Sequence, residues 1–242
     1  MSSNDKLTVL SHLYELRDRL IKSVIAIAVA SVIAFVFADW IFYILTLPAG
    51  DIPLIYIEMT EMLGTYMRVS LVAGIALAMP YLVYQVIMFV SPALTPREKK
   101  YVYLVLPWIG LMFIGGVVFG YFVLIPPALK FLLTFGANIA TPQIKVGNYI
   151  ALVTRLLLSI GLVFELPVVT TFLARIEVVK AKWLADRRRP AIIIAFILAA
   201  AITPTFDPIN QSLVAVPLIV LYELSIWLAR LVQKKPKEAA AS

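Results

Sequence analysis

Cysteine is absent from the 242 residues, and histidine occurs only once. Without cysteine the chain has no disulfide and no thiolate metal site. The sequence also lacks the His-Glu-x-x-His, Gly-x-Ser-x-Gly and Gly-x-x-x-x-Gly-Lys-Ser/Thr patterns of metalloproteases, serine hydrolases and nucleotide-driven motors. We therefore expect no enzyme, no ATP-driven motor, and no metal or other cofactor.

Charge is scarce as well. Only 14% of the residues are charged, 62% are hydrophobic, and the mean hydropathy is +0.95. This composition indicates an integral membrane protein. The net charge of +7 does not indicate nucleic-acid binding, because the basic residues cluster beside apolar runs. We found no internal repeat, and we predict one membrane domain over 1–242 with a disordered tail at 235–242.

Six apolar stretches predict an all-α fold with six transmembrane helices. A helix needs about 20 residues to cross the hydrocarbon core, and the fifth stretch has only twelve apolar residues, from Ala191 to Ile202. We therefore expect the last two spans to be short and to form a hairpin. The predicted spans are 21–45, 62–90, 101–125, 149–174, 190–203 and 212–230. We expect no cleaved signal peptide, since about twenty charge-rich residues precede the first span.

The distribution of lysine and arginine predicts the orientation. Seventeen of the 21 basic residues lie in the N-terminal segment, the second loop, the fourth loop and the C-terminal end. Basic residues concentrate on the cytoplasmic side of membrane proteins, so both termini are predicted to be cytoplasmic. The predicted outer loops carry only Lys130 and Lys145.

Proline is frequent, with fifteen residues, and several prolines lie within or at the ends of the predicted spans. Each removes a backbone donor and bends a helix. We expect the bent helices to form a cupped wall rather than a compact bundle. The prolines concerned are Pro80, Pro107, Pro126, Pro127, Pro167 and Pro217.

The segment His12-Leu-Tyr-Glu-Leu-Arg-Asp-Arg-Leu20 precedes the first span and mixes acidic with basic residues. Glu15 lies four residues before Arg19, which is the favourable order for a helical ion pair. Leucines along one side favour an amphipathic helix on the membrane surface. A cytosolic docking surface for a charged ligand is the other interpretation.

Ionisable residues inside predicted spans are costly and are functional candidates. Glu165, in the fourth span, is interpreted either as a functional acid or as a carboxyl bonded to Gln85. Glu223, in the last span, is open to both a structural and a functional interpretation. Arg68 and Arg155 lie close enough to the predicted outer side to extend their side chains outward. Between the last two spans, Thr203 and Gln211 are candidates for hydrogen bonding to another membrane helix.

Taken together, these motifs resemble the TatC family, the multispanning receptor subunit of the twin-arginine protein translocase. The resemblance extends from about Leu10 to Leu231. It rests on the His12 segment, Pro92-Ala-Leu-x-x-x-Glu98-Lys-Lys100, Phe164-Glu-x-Pro167, Thr203-Pro204 before Asp207 and Gln211, and Tyr222-Glu223.

The resemblance implies six helices in a glove-like wall and recognition of the paired arginines of signal peptides on folded cargo. It implies that Glu15 and Glu98 bind those arginines and that Phe89 lines the same surface. A guanidinium is matched best by a carboxylate. Arg17, close to Glu15, is expected to belong to the same signal-peptide site.

The resemblance further implies that Glu165 lies on the concave face, and that Thr203 and Gln211 contact the single helix of a TatA- or TatB-type partner. The other expected partners are further TatC copies and membrane lipid. The expected location is the cytoplasmic membrane of a bacterium or archaeon, with the proton-motive force driving transport.

Two other functions remain open at this point. The first is a proton- or ion-coupled transporter of small solutes that uses Glu165 and Glu223. Such transporters usually carry internal repeats, and the sequence shows none. The second is a scaffold for other membrane proteins, which differs from a receptor only if no signal peptide binds.

Overall fold

The computed structural model describes residues 3–50, 52–90, 96–134, 143–203 and 208–233. Side chains at 3–11, 90, 96–103 and 209–210 are outside that description. The chain divides into two compact units, Met1–Gly161 and Leu162–Ser242, and each is described by itself. The predicted tail at 235–242 lies outside the described residues. The prediction of a single membrane domain stays a prediction.

The first unit is almost entirely helical. Its elements are α1 (Ser3–Val36), α2 (Ala38–Thr46), a 3-10 turn (Leu47–Ala49), β1 (Leu54–Ile55), α3 (Glu61–Val90), α4 (Pro96–Phe119), a π-helical turn (Gly120–Leu124), α5 (Ile125–Thr134), β2 (Ile144–Lys145) and most of α6 (Val146–Phe164). The second unit begins at the end of α6 and contains α7 (Leu166–Arg175), α8 (Ala181–Asp186), α9 (Arg188–Ile202) and α10 (Pro208–Val232).

Five described helical segments are long and apolar enough to cross a membrane. They are His12–Val36, Glu61–Phe89, Leu104–Thr134, Val146–Arg175 and Gln211–Val232. The prediction of an all-α membrane protein is therefore confirmed. The fifth predicted span, 190–203, forms α9 with 15 residues, about 22 Å of helix at 1.5 Å per residue.

The N-terminal segment is continuous with the first long helix. α1 runs from Ser3 to Val36 without interruption, and the chain turns at Phe37 before α2 begins. A separate helix lying on the membrane surface would require a bend between His12 and the apolar part of α1. α1 shows no such bend, so the described residues form no separate helix there. The predicted span 21–45 is divided at Phe37 into α1 and α2.

The third long helix extends further than predicted. Pro126 and Pro127 marked its expected end near residue 125, yet helix continues to Thr134. A π-helical turn at Gly120–Leu124 immediately precedes the two prolines. Prolines 126 and 127 cannot donate to the carbonyls four residues earlier. Those carbonyls lie in the π-helical turn, where the bonding pattern already departs from that of an α-helix.

Two very short strands join the loops that follow α2 and α5. Leu54 pairs with Ile144 and Ile55 with Lys145, in parallel. Next to them, the Glu61 carboxylate accepts the backbone N–H groups of Ile57 at 3.0 Å and Gly147 at 3.1 Å. These contacts fix the beginning of α3 against the beginning of α6.

α9 and α10 form the expected antiparallel hairpin, although α10, with 25 residues, is not the short span that the sequence predicted. The Arg188 guanidinium, at the start of α9, donates to both carboxylate oxygens of Glu223 near the end of α10, at 2.6 and 3.0 Å. Nearer the turn, the Gln211 amide donates to the Phe196 carbonyl at 2.9 Å. Each of the two helices contains a fully buried alanine, Ala199 in α9 and Ala215 in α10.

Candidate functional site

Five polar and aromatic side chains meet where the N-terminal part of α1 packs against the C-terminal part of α3. His12, Glu15 and Arg19 follow each other at i, i+3 and i+7 and therefore share one face of α1. Gln85 and Phe89 are four residues apart on α3 and face them. We call these five residues the α1–α3 cluster.

Arg19 is the centre of the cluster. Its Nε and Nη2 both donate to Oε1 of Glu15, the former at 3.1 Å, and its Nη1 donates to Oε1 of Gln85 at 3.2 Å. The Arg19 side chain is 20% exposed and that of Glu15 is 31% exposed, whereas Gln85 is buried. A single guanidinium thus joins the two helices through a fork of donors that lysine does not have.

The second oxygen of Glu15 has a different environment. Oε2 lies 3.8 Å from Nδ1 of His12, which is longer than a hydrogen bond. The His12 ring stacks on Phe89, with ring centroids 4.3 Å apart and planes 20° from parallel. The cluster therefore combines an aromatic pair with a half-buried carboxylate, one of whose oxygens accepts no hydrogen bond from the part of the chain that the structure describes.

Arg17, which the sequence analysis placed in the signal-peptide site, lies away from the cluster. Its guanidinium donates to the neighbouring carboxylate of Asp18 at 3.2 Å and lies over the Tyr14 ring, 5.4 Å from its centroid. Arg17 and Asp18 are both exposed. Its role in the site stays a prediction.

Of the other two residues predicted for this site, Phe89 belongs to the cluster. Glu98 falls in the first turn of α4, which packs against α3. The side chain of Glu98 and residues 91–95 lie outside the described residues.

Glu165 lies at a break between two helices. α6 ends at Phe164 and α7 begins at Leu166, with Pro167 in its first turn. Glu165 is 4% exposed, and its backbone N–H donates to the Leu162 carbonyl in a 3-10 type bond of 3.1 Å. Gln85, its predicted partner, belongs to the other compact unit and accepts from Arg19. The predicted Glu165–Gln85 contact stays a prediction.

Most of the remaining predicted polar residues form contacts within the protein. The Thr203 hydroxyl, almost buried, donates to the Ala199 carbonyl at 2.8 Å, and Gln211 bonds across the hairpin as described. Glu223 forms the ion pair with Arg188, which favours its structural interpretation. Arg68 donates to the Gly147 carbonyl at 3.3 Å, and Arg155 is exposed.

Sequence reasoning gave His12 and Arg19 no binding role of their own. Their spacing from Glu15 could have indicated such a role. His12 lies three residues before Glu15 and Arg19 four residues after it, so the three side chains share one face of a helix. Within the described residues, no group of three or more His, Asp or Glu side chains is placed to hold a metal ion.

Comparisons with known proteins agree with one another. The family model "TatC: Sec-independent protein translocase protein (TatC)" matches residues 11–217. The Sec-independent protein translocase protein TatC of Carboxydothermus hydrogenoformans is 41% identical over 96% of this chain and 96% of its own length. The TatC protein of Aquifex aeolicus is 42% identical over 94% of this chain and 96% of its own length.

Solved structures are similar as well. A crystal structure of "Twin Arginine Translocase Receptor- TatC" superposes with a TM-score of 0.81 at 40% identity, covering 91% of this chain and 99% of the other. A second crystal structure of that receptor, in DDM, has a TM-score of 0.81 at 41% identity and covers 90% of this chain and 99% of the other.

Proposed function

This chain belongs to the TatC family of Sec-independent protein translocase proteins, whose members are translocase components and not enzymes, and we propose that it is the receptor for Arg-Arg signal peptides. The site is the α1–α3 cluster together with Glu98. The observation that carries the proposal is the arrangement at Glu15, where Arg19 occupies Oε1 and no side chain within the described residues donates to Oε2 in a comparable way. The similar solved structures, described as those of a twin-arginine translocase receptor, support it.

The chemistry of the cluster suits an arginine ligand. Arg19 demonstrates that a guanidinium fits against this carboxylate with two donors on one oxygen. An incoming arginine would donate to Oε2, and its planar group would find the stacked rings of His12 and Phe89 beside it. Arginine guanidinium groups stack on aromatic faces more effectively than ammonium groups do. The cluster therefore favours Arg-Arg over Lys-Lys.

Glu98 supplies the second acid in this proposal. It lies in the first turn of α4, and only residues 91–95 separate that helix from the end of α3 that bears Phe89. Two arginines in succession require two acceptors, and Glu15 and Glu98 come from α1 and α4, which both pack against α3 in one compact unit. We assign one signal-peptide arginine to each carboxylate.

The wider setting follows from the family. We propose that both termini are cytoplasmic, that the chain lies in the cytoplasmic membrane of a bacterium or archaeon, and that the proton-motive force drives transport. The expected partners are TatA- and TatB-type proteins, with Thr203 and Gln211 near their contact, and further copies of this chain. Gln211 supports this role because its amide nitrogen donates to Phe196, while its amide oxygen accepts no bond from the described residues and is suited to a donor on another helix. Glu165 remains the proposed acid of the concave face.

The alternative of a solute transporter has less support. It depended on two acids within the membrane, Glu165 and Glu223. Glu223 forms a two-donor ion pair with Arg188, and its side chain is 46% exposed. A carboxylate held in this way fixes the hairpin of α9 and α10. Of the two acids that the transporter hypothesis named, Glu165 alone is then left for proton coupling.

Glu15→Gln tests the receptor site most directly. We expect it to weaken binding of an Arg-Arg signal peptide by about 2 kcal/mol, roughly thirtyfold in Kd. That value is the low end for truncating a buried charge pair, because the Glu15 side chain is 31% exposed. Binding is measured with a fluorescent signal peptide and purified full-length protein, and Glu98→Gln is measured in parallel.

Asp18→Asn is the matched control. It removes a carboxylate from the same helix, but from an exposed position whose partner is Arg17, and we expect less than a twofold change. A Lys-Lys version of the peptide should bind the unaltered protein weakly and lose little from Glu15→Gln. Unchanged Arg-Arg binding in both Glu15→Gln and Glu98→Gln, or equal effects of Glu15→Gln and Asp18→Asn, would contradict the assignment.

A further inference from the structure

The short helix α8 has a buried face that is held firmly in place. Ala181 and Leu184 are 3% and 5% exposed and pack in a cluster with Ala174, Ile226 and Ala229. A helix of six residues has little stability of its own. Its position is therefore set by this packing against α7 and α10.

Hydrogen bonds to α10 and its end fix the same segment. The Tyr222 hydroxyl donates to the Leu184 carbonyl at 2.8 Å. The Gln233 amide donates to the Val179 carbonyl at 3.1 Å. The segment between α7 and α9 is thus attached at two points and is not a loose loop.

Lys182, Trp183 and Asp186 on the opposite side of α8, and Arg187 directly after it, are all exposed. We call these four residues the α8 face. Trp183 is 52% exposed. The Arg187 guanidinium lies over the Trp183 ring at 5.0 Å from its centroid. A large aromatic side chain and a stacked cation are therefore presented outward on a fixed support.

The charge around this face is strongly positive. Lys180 and Arg189 are exposed on either side of it, and Asp186 is the single acid between residues 180 and 189. Arg188 does not add to this surplus, because its charge is matched by Glu223. Four basic residues and one acid remain, which gives a local charge of +3.

The location of the α8 face indicates which ligand it meets. The membrane-span candidate Val146–Arg175 ends six residues before α8 begins, so chain connectivity keeps α8 close to the bilayer surface. Basic residues beside a span set the orientation of a membrane protein by their charge alone. That role explains the lysines and arginines of the α8 face, but it does not explain an exposed tryptophan with an arginine stacked on it. Tryptophan is enriched at the level of the lipid headgroups.

We propose that the α8 face binds the phosphate groups of anionic phospholipids in the membrane that the neighbouring helices cross. Trp183 lies among the headgroups, and Lys182 and Arg187 contact the lipid phosphate. The charges match, since clusters of basic residues beside membrane spans attract anionic lipid. This binding is independent of the signal-peptide site and holds the second compact unit at a defined depth.

Lipid binding to the purified full-length protein in neutral detergent tests the proposal. Phosphatidylglycerol and phosphatidylcholine with the same acyl chains are titrated separately, and bound lipid is counted by native mass spectrometry. We expect a preference for phosphatidylglycerol that the K182Q/R187Q variant weakens about thirtyfold, equivalent to about 2 kcal/mol for two basic residues. Salt at 0.5 M should reduce the preference, since both groups are exposed.

The K130Q/K145Q variant is the charge-matched control, because it removes two basic residues from the predicted outer loops. It should keep the preference for phosphatidylglycerol. The K180Q/R189Q variant removes the two flanking charges and should reduce the preference for phosphatidylglycerol less than K182Q/R187Q does. It provides a second measurement if the K182Q/R187Q variant folds poorly. An equal loss in the control, no preference in the unaltered protein, or full competition by inorganic phosphate would overturn the proposal.

Discussion

Arg19 shows how much of the candidate site depends on the geometry of one side chain. Spacing alone predicted its ion pair with Glu15, and the structure confirms that pair. The bond to Gln85, 66 positions away in the sequence, had no local signal. Arg19 thereby fixes one carboxylate oxygen and leaves the other oriented toward His12.

Arg19→Lys keeps the charge but removes the guanidinium fork. Lysine is not able to donate to Glu15 and Gln85 in the same fixed geometry. We expect a loss of about 1 kcal/mol in the free energy of unfolding, because a partly buried hydrogen bond is lost. Thermal unfolding in detergent should show a decrease of about 2–4 °C.

Arg17→Lys is the control for this change at a neighbouring, exposed position. The Arg17–Asp18 contact lies on the surface, where ion pairs contribute little, so the unfolding temperature should change by less than about 1 °C. Equal effects of the two substitutions would show that Arg19 does not join α1 to α3.

At the level of secondary-structure elements, the antiparallel contact of α1 with α3 aligns the cluster. Near one end, the Tyr66 hydroxyl of α3 donates to Asp39, which lies in α2 just after α1 ends, at 2.7 Å. Near the other end, Arg19 of α1 donates to Gln85 of α3. Between them, Gly74 faces Ser31 so closely that a Cβ on Gly74 would lie 2.6 Å from the backbone N and Cα of Ser31. Glycine at this position allows the two helices to pack backbone against backbone.

Gly74→Ala should therefore push α1 and α3 apart. Alanine improves helix propensity by about 1 kcal/mol, but overpacking against a backbone costs about 1–3 kcal/mol. We expect a net decrease in unfolding temperature and weaker binding of the Arg-Arg peptide, because Arg19 and Gln85 would separate. Both quantities are measured on the purified protein.

Gly64→Ala, on the same helix, separates propensity from packing. A Cβ on Gly64 meets no atom within 4 Å, so this variant should be as stable as the unaltered protein or more stable. If Gly74→Ala behaves in the same way as Gly64→Ala, the close contact does not position the cluster.

At the level of the whole molecule, hydropathy predicted the long helices because a bilayer imposes one length and one composition on each span. The break near Glu165 was foreseeable from Pro167. The break at Phe37 was not, since neither proline nor glycine lies next to it. The ion pair of Arg188 with Glu223 joins residues 35 positions apart, and such contacts depend on how helices pack.

Whether α9 crosses the membrane decides the topology. Its 15 residues span about 22 Å, less than the hydrocarbon thickness of about 30 Å. If α9 crosses by thinning the bilayer locally, six spans place both termini on one side, whereas five spans place them on opposite sides. The antiparallel hairpin of α9 and α10 favours six.

Single cysteines report this topology without interference, because the sequence contains no cysteine of its own. We expect a membrane-impermeant maleimide applied from outside to label Met59→Cys, at a residue 95% exposed in the loop before α3. Ser3→Cys and Ser242→Cys should be labelled only after the membrane is opened. Labelling of Ser242→Cys from outside, with Ser3→Cys protected, would mean that α9 does not cross, and the cytoplasmic C-terminus would have to be abandoned.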